Sequence, residues 1–244
     1  GSRNNQNSYK EITVLGDQNR FNDAWPSIGF PINLMPNSLI EDGFTFNKET
    51  GTIIGYDISE GPDVVIPTNI DGVEVKAIGD NAFKDLGISS VILPNTLESI
   101  GERAFENNEL KTLELPNSVK TLGRAAFQFN SLSNVKLSNQ LTFTGHYTFG
   151  YSDAIIDKLV IPEGVVNIGI YTFNQTQIKQ LELPSTLETI GTYAFFSSIN
   201  QIENVIIPSN VRSIGDMAFG SRNNQNSYKE ITVLGDQNRF NDAW

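Results

Sequence analysis

Apolar and polar positions alternate in a pattern that returns about every 22 residues along most of the chain. In the copy from Leu110 to Ser131, the segment Leu113 to Leu115 alternates apolar and polar, which predicts a short strand with both leucines facing inward. Pro116 lacks an amide proton and ends that strand. Further on, we expect Gly123 to adopt a backbone angle that is closed to other residues, and Phe127 to fill the interior.

The pattern occurs seven times, with a glycine and a phenylalanine in register in every copy. Both series advance by 22, 22, 22, 24, 22 and 24 residues. A constant period of this size indicates a solenoid, because one rung of the stack is too small to bury its own apolar face and stacking builds a continuous core. The glycines are Gly79, Gly101, Gly123, Gly145, Gly169, Gly191 and Gly215, and the phenylalanines are Phe83, Phe105, Phe127, Phe149, Phe173, Phe195 and Phe219.

The run from Ile207 to Phe219 reads Ile-Pro-x-x-Val-x-x-Ile-Gly-x-x-Ala-Phe. It resembles the BspA-type leucine-rich repeats of bacterial and protist surface proteins, and the likeness extends over about residues 64 to 234. The resemblance implies a leucine-rich-repeat solenoid, mostly β with short helical or 3-10 turns, in a curved right-handed stack with a parallel sheet on its concave face. It also implies a role in adhesion or host contact, an extracellular or cell-surface location as part of a larger secreted protein, and no catalytic residues.

One rung, residues 133–156, departs from this family pattern. Ser138 stands where the other rungs have proline. The segment from Thr144 to Phe149 lacks the isoleucine and the alanine of the repeat pattern. Because both apolar positions face the core in the other rungs, we expect this rung to be locally distorted.

The first 25 residues are repeated letter for letter at residues 220–244. The second copy continues a rung, with Ile231 to Val233 as its predicted strand, so the solenoid is expected to span residues 63–244. Two accounts of the duplication stay open. In one, the chain comes from a tandem array of units that are 219 residues long. In the other, the segment was duplicated by design so that chains assemble head to tail.

Residues 26–62 precede the regular repeats and break their pattern. Their prolines disfavour a continuous helix. Phe44 to Phe46 and Gly51 to Tyr56 are predicted to form a hairpin around a loop of turn-forming residues. We interpret the hairpin as a cap over the first rung. The alternative is a joint between tandem units, in which Trp25 and Phe30 would lie at the contact.

Composition narrows the possible functions. The chain has 244 residues, of which 39% are hydrophobic and 18% charged, as is typical of a globular protein. Its formal net charge of -11 argues against binding to nucleic acid or to anionic lipid. Without cysteine it has neither disulfides nor a thiolate zinc site. No apolar run is long enough for membrane insertion and no motif indicates a cofactor, so we expect neither.

Outward-facing residues at the middle of each strand are predicted to form one row along the stack. Glu114 and Lys136 are expected to be neighbours in it and to form an exposed ion pair. Ile92, Val160 and Ile206 place apolar side chains where water is expected. A partner-binding surface explains them, and so does the preference of strands for β-branched residues. The candidate ligand-binding residues are Ile92, Glu114, Lys136, Val160, Glu182 and Ile206.

Catalytic and metal-binding chemistry has few candidates. His146 is the only histidine, and a Ser-His-Asp triad would need it together with Asp153 or Asp157. A variable position on the rung is the simpler interpretation. The acidic loop at residues 57–63 could hold calcium, but its spacing matches no EF-hand loop and a solvated loop explains it more simply. The sequence therefore predicts a protein that is not an enzyme and binds no metal.

Two functions follow from this surface and architecture. One is a non-catalytic adhesion module, whose partner is a protein or glycan on a host or neighbouring cell. The other is a structural spacer or stalk that carries other domains away from the cell wall, with its length set by the number of tandem units. The identical ends also allow head-to-tail self-association, since an exposed solenoid end is an open sheet edge.

Overall fold

The computed structural model describes residues 38–197, 204–221 and 230–234. Within them the repeats wind into a β-solenoid of short strands and turns, and the single 3-10 helix, Ile58–Glu60, precedes the repeats. In chain order the strands are β1 Ser38–Glu41, β2 Phe44–Asn47, β3 Thr52–Tyr56, β4 Asp63–Val65, β5 Asn69–Ile70, β6 Val73–Glu74, β7 Ala77–Ile78, β8 Ser90–Ile92, β9 Ser99–Ile100, β10 Thr112–Glu114, β11 Thr121–Leu122, β12 Asn134–Lys136, β13 Ile155–Val160, β14 Asn167–Ile168, β15 Gln177–Glu182, β16 Thr189–Ile190, β17 Asn204–Ile207, β18 Ser213–Ile214 and β19 Glu230–Val233.

An antiparallel meander precedes the first rung. β2 and β3 form the predicted hairpin, and β1 pairs with the other edge of β2. β3 leads into the solenoid because it also pairs in parallel with β7. Phe44 and Tyr56 pack against Phe83, and the ring centroids of Tyr56 and Phe83 lie 5.5 Å apart. The meander thus covers the first rung. The proposed joint residues Trp25 and Phe30 lie outside the described residues, as does the whole N-terminal copy of the duplicated segment.

The strand face of the solenoid consists of β4, β8, β10, β12, β13, β15, β17 and β19. These strands pair in parallel and in twos: β4 with β8, β10 with β12, β13 with β15, and β17 with β19. The predicted parallel sheet is therefore divided into four ladders of two strands each. The strand predicted in the C-terminal copy is present as β19.

A second face, the short-strand face, carries mostly two-residue strands. β3, β7, β9 and β11 form one parallel ladder, and β14, β16 and β18 form another. The two ladders are separated after Leu122, and Phe143 makes an isolated bridge to Asn167. Gly145 in the same stretch has a φ of +80°. The distortion predicted for rung 133–156 is therefore confirmed.

The turn face is made of the segments that run from each repeat glycine to two residues beyond the repeat phenylalanine. Three backbone hydrogen bonds bridge each step between neighbouring rungs here, such as the one from Phe105 N–H to the oxygen of Ala126 (2.8 Å). They continue without a break from Asn81 to Gly220. In each of the first six rungs two non-glycine residues of this face have positive φ, for example Ala125 at +56° and Phe129 at +57°. These left-handed residues orient every second N–H toward the next rung.

The seven repeat phenylalanines form a continuous stack through the core, as the pattern predicts. Each is at most 2% exposed. Consecutive ring centroids lie 4.8 to 5.9 Å apart, and consecutive ring planes are within 11° of parallel. This range is the one that stacked aromatic pairs favour. Every rung supplies one ring, so the core repeats with the chain.

Except at Gly145, the repeat glycines have a role different from the predicted one. Gly123 is not among the residues with positive φ, so the expectation of a special backbone angle there is wrong. A Cβ on it would lie 2.3 Å from the amide nitrogen of Glu102 and 2.4 Å from the carbonyl carbon of Gly101. At Gly169 the added atom would lie 1.8 Å from the oxygen of Gly145. Glycine is needed because neighbouring backbones approach too closely for any side chain.

Candidate binding surfaces

The six candidate residues lie in the outward row of the strand face. Their apolar members are well exposed, at 62% for Ile92, 44% for Val160 and 57% for Ile206. Val65 extends the row at its N-terminal end and is 64% exposed. Parallel pairing holds the row in register through Val65 with Ile92, Glu114 with Lys136, Val160 with Glu182, and Ile206 with Thr232.

Charged residues of the strand face neutralise one another between rungs. Glu114 and Lys136 form the predicted ion pair. Lys158 Nζ lies 2.7 Å from Glu182 Oε1 on the next rung. All four side chains are at least half exposed, so each pair contributes roughly 0–1 kcal/mol. A partner that meets this face would find these four charges already paired and the apolar side chains uncovered.

The residues of the hypothetical triad do not come together. His146 Nδ1 accepts a hydrogen bond from the N–H of Ile170 (2.9 Å). Asp153 accepts one from the hydroxyl of Ser131 (2.8 Å), and Asp157 pairs with a lysine on the next rung. The histidine is an inter-rung acceptor, and both carboxylates are engaged elsewhere.

The acidic loop has local structural partners. Asp57 caps the 3-10 helix by accepting from the N–H of Ser59 (3.0 Å). Asp63 accepts from the hydroxyls of Ser90 and Ser89, each at 2.7 Å, and these bonds hold the pKa of Asp63 below its ordinary value. Among the residues that the structure describes, no group of three or more histidine or acidic side chains is placed to hold a metal ion.

A row of aromatic residues on the turn face lies outside the strand-based prediction. Tyr147, Tyr171 and Tyr193, here called the tyrosine row, each stand two residues after a repeat glycine, and this recurrence in three consecutive rungs is the sequence signal that identifies them. Neighbouring rings stack with centroids 4.8 Å apart and planes within 9°. All three residues have a φ of 55 to 60°, a conformation that bulky residues rarely adopt.

Both ends of the tyrosine row carry another contact. Arg124 Cζ lies 4.8 Å from the ring centroid of Tyr147, within the range of a cation–π interaction. At the other end, Phe196 meets Tyr193 edge-on, with centroids 4.9 Å apart. In the middle, partial desolvation and then the neighbouring tyrosines raise the pKa of Tyr171 above its ordinary value. The rings therefore form one packed group whose ring faces are largely covered.

The repeat pattern of the sequence, which the phenylalanine stack and the glycine contacts express in the structure, matches a known family. The family model for the BspA type leucine rich repeat region matches six copies, over residues 63–157 and 151–239. The chain belongs to the BspA-type leucine-rich-repeat family. The family is a repeat architecture rather than an enzymatic one, and the residues discussed above assemble no catalytic site.

A solved structure shares the fold of this BspA-type chain. A leucine rich cell surface protein from Faecalibacterium prausnitzii is 24% identical, with a TM-score of 0.61 over 83% of this chain and 56% of that one. The pneumococcal vaccine antigen PcpA is 22% identical, with a TM-score of 0.48 over 79% of this chain and 62% of that one. The chain thus spans about three-fifths of the length of these proteins.

Two further findings concern the BspA-type chain. No curated protein matches its sequence. In the described part of the chain, no helix has the length and apolarity that crossing a membrane would require.

Proposed function

We propose that the BspA-type chain is a non-catalytic binding module of a cell-surface protein, and that its strand face holds a protein or glycan partner. The observation that carries this proposal is the pair Val65 and Ile92. They lie side by side on adjacent strands, and 64% and 62% of their surface is exposed. Contiguous exposed apolar surface of this kind is typical of an interaction site.

Rigidity supports the same function. The continuous hydrogen-bond ladder of the turn face and the phenylalanine stack fix each rung relative to the next. A partner that docks on the strand face therefore orders few residues, which lowers the entropic cost of binding. Several modules in tandem would raise avidity without adding contacts.

A binding screen tests the proposal. The chain is screened against extracellular-matrix proteins and a glycan array, beside a variant that carries Ile92→Asp, Val160→Asp and Ile206→Asp. A matched control carries Thr121→Asp, Thr142→Asp and Ser213→Asp, which adds the same charge at exposed positions of the short-strand face. We expect the first variant to lose a partner that the control keeps. Circular dichroism should show that both variants are folded. A partner that survives the first variant, or no partner at high concentration, contradicts the proposal.

The second candidate function is a spacer, and the 25-residue identity between the two ends of the chain favours it. A native array of 219-residue units would set the reach of a surface protein by their number. A spacer tolerates the strand-face substitutions and responds to the number of units. Head-to-tail association of separate chains follows from the same identity, and light scattering tests it, since purely monomeric chains at high concentration would contradict it.

A further inference from the structure

The turn face offers a second surface that is independent of the strand face. We propose that Arg124 and the tyrosine row bind an oligosaccharide that ends in a single carboxylate-bearing sugar. The guanidinium receives the carboxylate, and the phenol hydroxyls receive the neutral sugars that follow it. This inference does not rest on the proposed strand-face partner.

Arg124 is the charged group that selects the ligand. In a chain of net charge -11, it and Lys111 are the described lysine or arginine residues with no carboxylate within ion-pair distance. Its guanidinium lies over the ring of Tyr147. A guanidinium carries its N–H donors in its own plane, as a fork that matches a carboxylate. Since this cation is not neutralised within the described chain, an external carboxylate is its natural partner.

The tyrosine row favours a hydroxyl-rich ligand over a protein side chain. Rings that stack 4.8 Å apart cover one another's faces, so their edges and hydroxyls are what an outside partner can reach. None of the three hydroxyls forms a hydrogen bond with another described residue. A phenol hydroxyl both donates and accepts, as sugar hydroxyls do. A protein partner would gain most from ring faces, and those faces are already occupied.

The fold itself does not require tyrosine at these positions. Asn81 and Ala125 occupy equivalent left-handed positions on other rungs, at φ of +59° and +56°. Asparagine tolerates this conformation better than a bulky residue does. The three consecutive aromatic residues therefore add a surface property that the backbone does not demand.

The position of the cation decides which acidic glycan fits. Arg124 lies at one end of the tyrosine row, beside Tyr147, and the turn-face segments that carry Tyr171 and Tyr193, residues 169–175 and 191–197, contain no lysine or arginine. A polymer with a carboxylate on every sugar would place uncompensated charge along the rest of the row, on a protein that is itself acidic. A terminal acidic sugar followed by neutral ones avoids this repulsion.

The test compares sialyllactose with lactose, which differ by the terminal acidic sugar, in titration calorimetry and in NMR shift mapping of the full chain. An oligogalacturonate serves as the probe with a carboxylate on every sugar. We expect sialyllactose to bind at least tenfold more tightly than lactose. Arg124→Gln should remove that preference, and Tyr171→Phe, which deletes one hydroxyl, should weaken binding a few-fold. Lys111→Gln, which removes the other unpaired cation, should leave binding unchanged.

Several results would overturn the inference. These are equal binding of sialyllactose and lactose, tighter binding of the oligogalacturonate, and full binding by a folded Arg124→Gln variant. Arg124→Lys keeps the charge but loses the fork, so an intermediate affinity is expected. The strand-face variant with three added aspartates should bind sialyllactose like the parent chain. Failure of the strand-face partner and failure of this site are therefore separate outcomes.

Discussion

The side-chain amide of Asn130 donates a hydrogen bond to the backbone oxygen of Phe105, 2.9 Å away on the preceding rung. Its Oδ1 accepts from the N–H of Leu110 at 3.1 Å, and the residue is 4% exposed. Asn108 makes the equivalent bond to Phe83 at 2.8 Å, one rung earlier. A buried asparagine thus ties each of these rungs to the one before it, just beyond the phenylalanine stack.

Replacing Asn130 with alanine should lower the free energy of unfolding by about 2–4 kcal/mol. The change leaves the N–H of Leu110 and the oxygens of Phe105 and Phe127 without this partner. Each buried group that stays unsatisfied costs roughly 1–3 kcal/mol. Urea denaturation followed by circular dichroism measures the loss. Asn134→Ala is the control, because Asn134 is exposed on β12, and it should change stability by no more than about 0.5 kcal/mol. Equal losses in the two variants would show that the buried bonds are not what stabilises the stack.

Gly123→Ala should destabilise the chain more than the same change in the first rung. The new Cβ would lie 2.3 Å from the nitrogen of Glu102, whereas at Gly79 the nearest atom is the oxygen of Ile53 at 3.1 Å. Overpacking against fixed backbone costs at least about 3 kcal/mol at the tighter site, and about 1 kcal/mol where the neighbour can shift. Thermal unfolding of both variants gives the comparison. A larger loss for Gly79→Ala would contradict the close-approach explanation.

Phe127, Gly123 and Asn130 show how far the sequence predicts the fold. The burial of Phe127 follows from the pattern, because one apolar ring recurs at a fixed place in every rung. The need for glycine at 123 also follows, but not its cause. A required glycine can reflect either a special backbone angle or a close approach, and only the distance to the neighbouring rung distinguishes them. The two partners through which Asn130 reaches the preceding rung, Leu110 and Phe105, lie 20 and 25 residues away, so no local signal indicates them.

Of the two candidate surfaces, the strand face could be predicted from the sequence and the tyrosine row could not. Ile92 and Ile206 could be predicted as outward residues because strands alternate with a period of two. The tyrosine row could not be found by that rule, since the turn face contains no strand. It is organised by left-handed residues at Tyr147, Tyr171 and Tyr193, and nothing in their residue type predicts this conformation. Arg124 is identified as unpaired only when its neighbours on other rungs are known.

Glu163 should make the stability of the chain depend on pH. The N–H and the hydroxyl of Ser185 both donate to its carboxylate at 3.0 Å, and the backbone bond first, then the hydroxyl, holds the pKa of Glu163 below its ordinary value. A carboxyl group with a lowered folded-state pKa stabilises the protein above its unfolded pKa, and the contribution is lost as the pH falls through the folded value. At neutral pH the parent chain should therefore be more stable than the Glu163→Gln variant.

The difference in stability between the parent chain and the Glu163→Gln variant should shrink as the pH falls below the ordinary range of glutamate pKa values. Urea midpoints at neutral pH and at about pH 3 measure it, with the ordinary value near 4.3 between them. Ser185→Ala removes the hydroxyl donor but keeps the backbone one, so it should show a smaller change of the same sign. A difference that stays constant with pH would mean that Glu163 acts through packing rather than through its charge.

The interrupted ladder in rung 133–156 should be visible in amide hydrogen exchange. The amides of Lys120 and Gly123 donate to the preceding rung at 2.8 and 2.7 Å. The equivalent amides of Thr142 and Gly145 have no acceptor there among the described residues. Amides without a protein partner exchange through smaller openings than bonded ones. We expect Thr142 and Gly145 to exchange at least tenfold faster than their counterparts, as followed by NMR.

The turn face supplies the control for that measurement. The amides of Phe127 and Phe149 both donate to the next rung, at 3.0 and 2.8 Å, so they should be protected to a similar degree. Fast exchange at Thr142 with slow exchange at Phe149 would show a gap confined to the short-strand face, held closed by the continuous ladder and the stacked rings. Fast exchange at both would mean that the whole rung opens, because the turn face would then have to separate with it. The first result is expected, since three backbone bonds bridge each side of Phe149's rung on the turn face while the short-strand face lacks its bonds to the rung before.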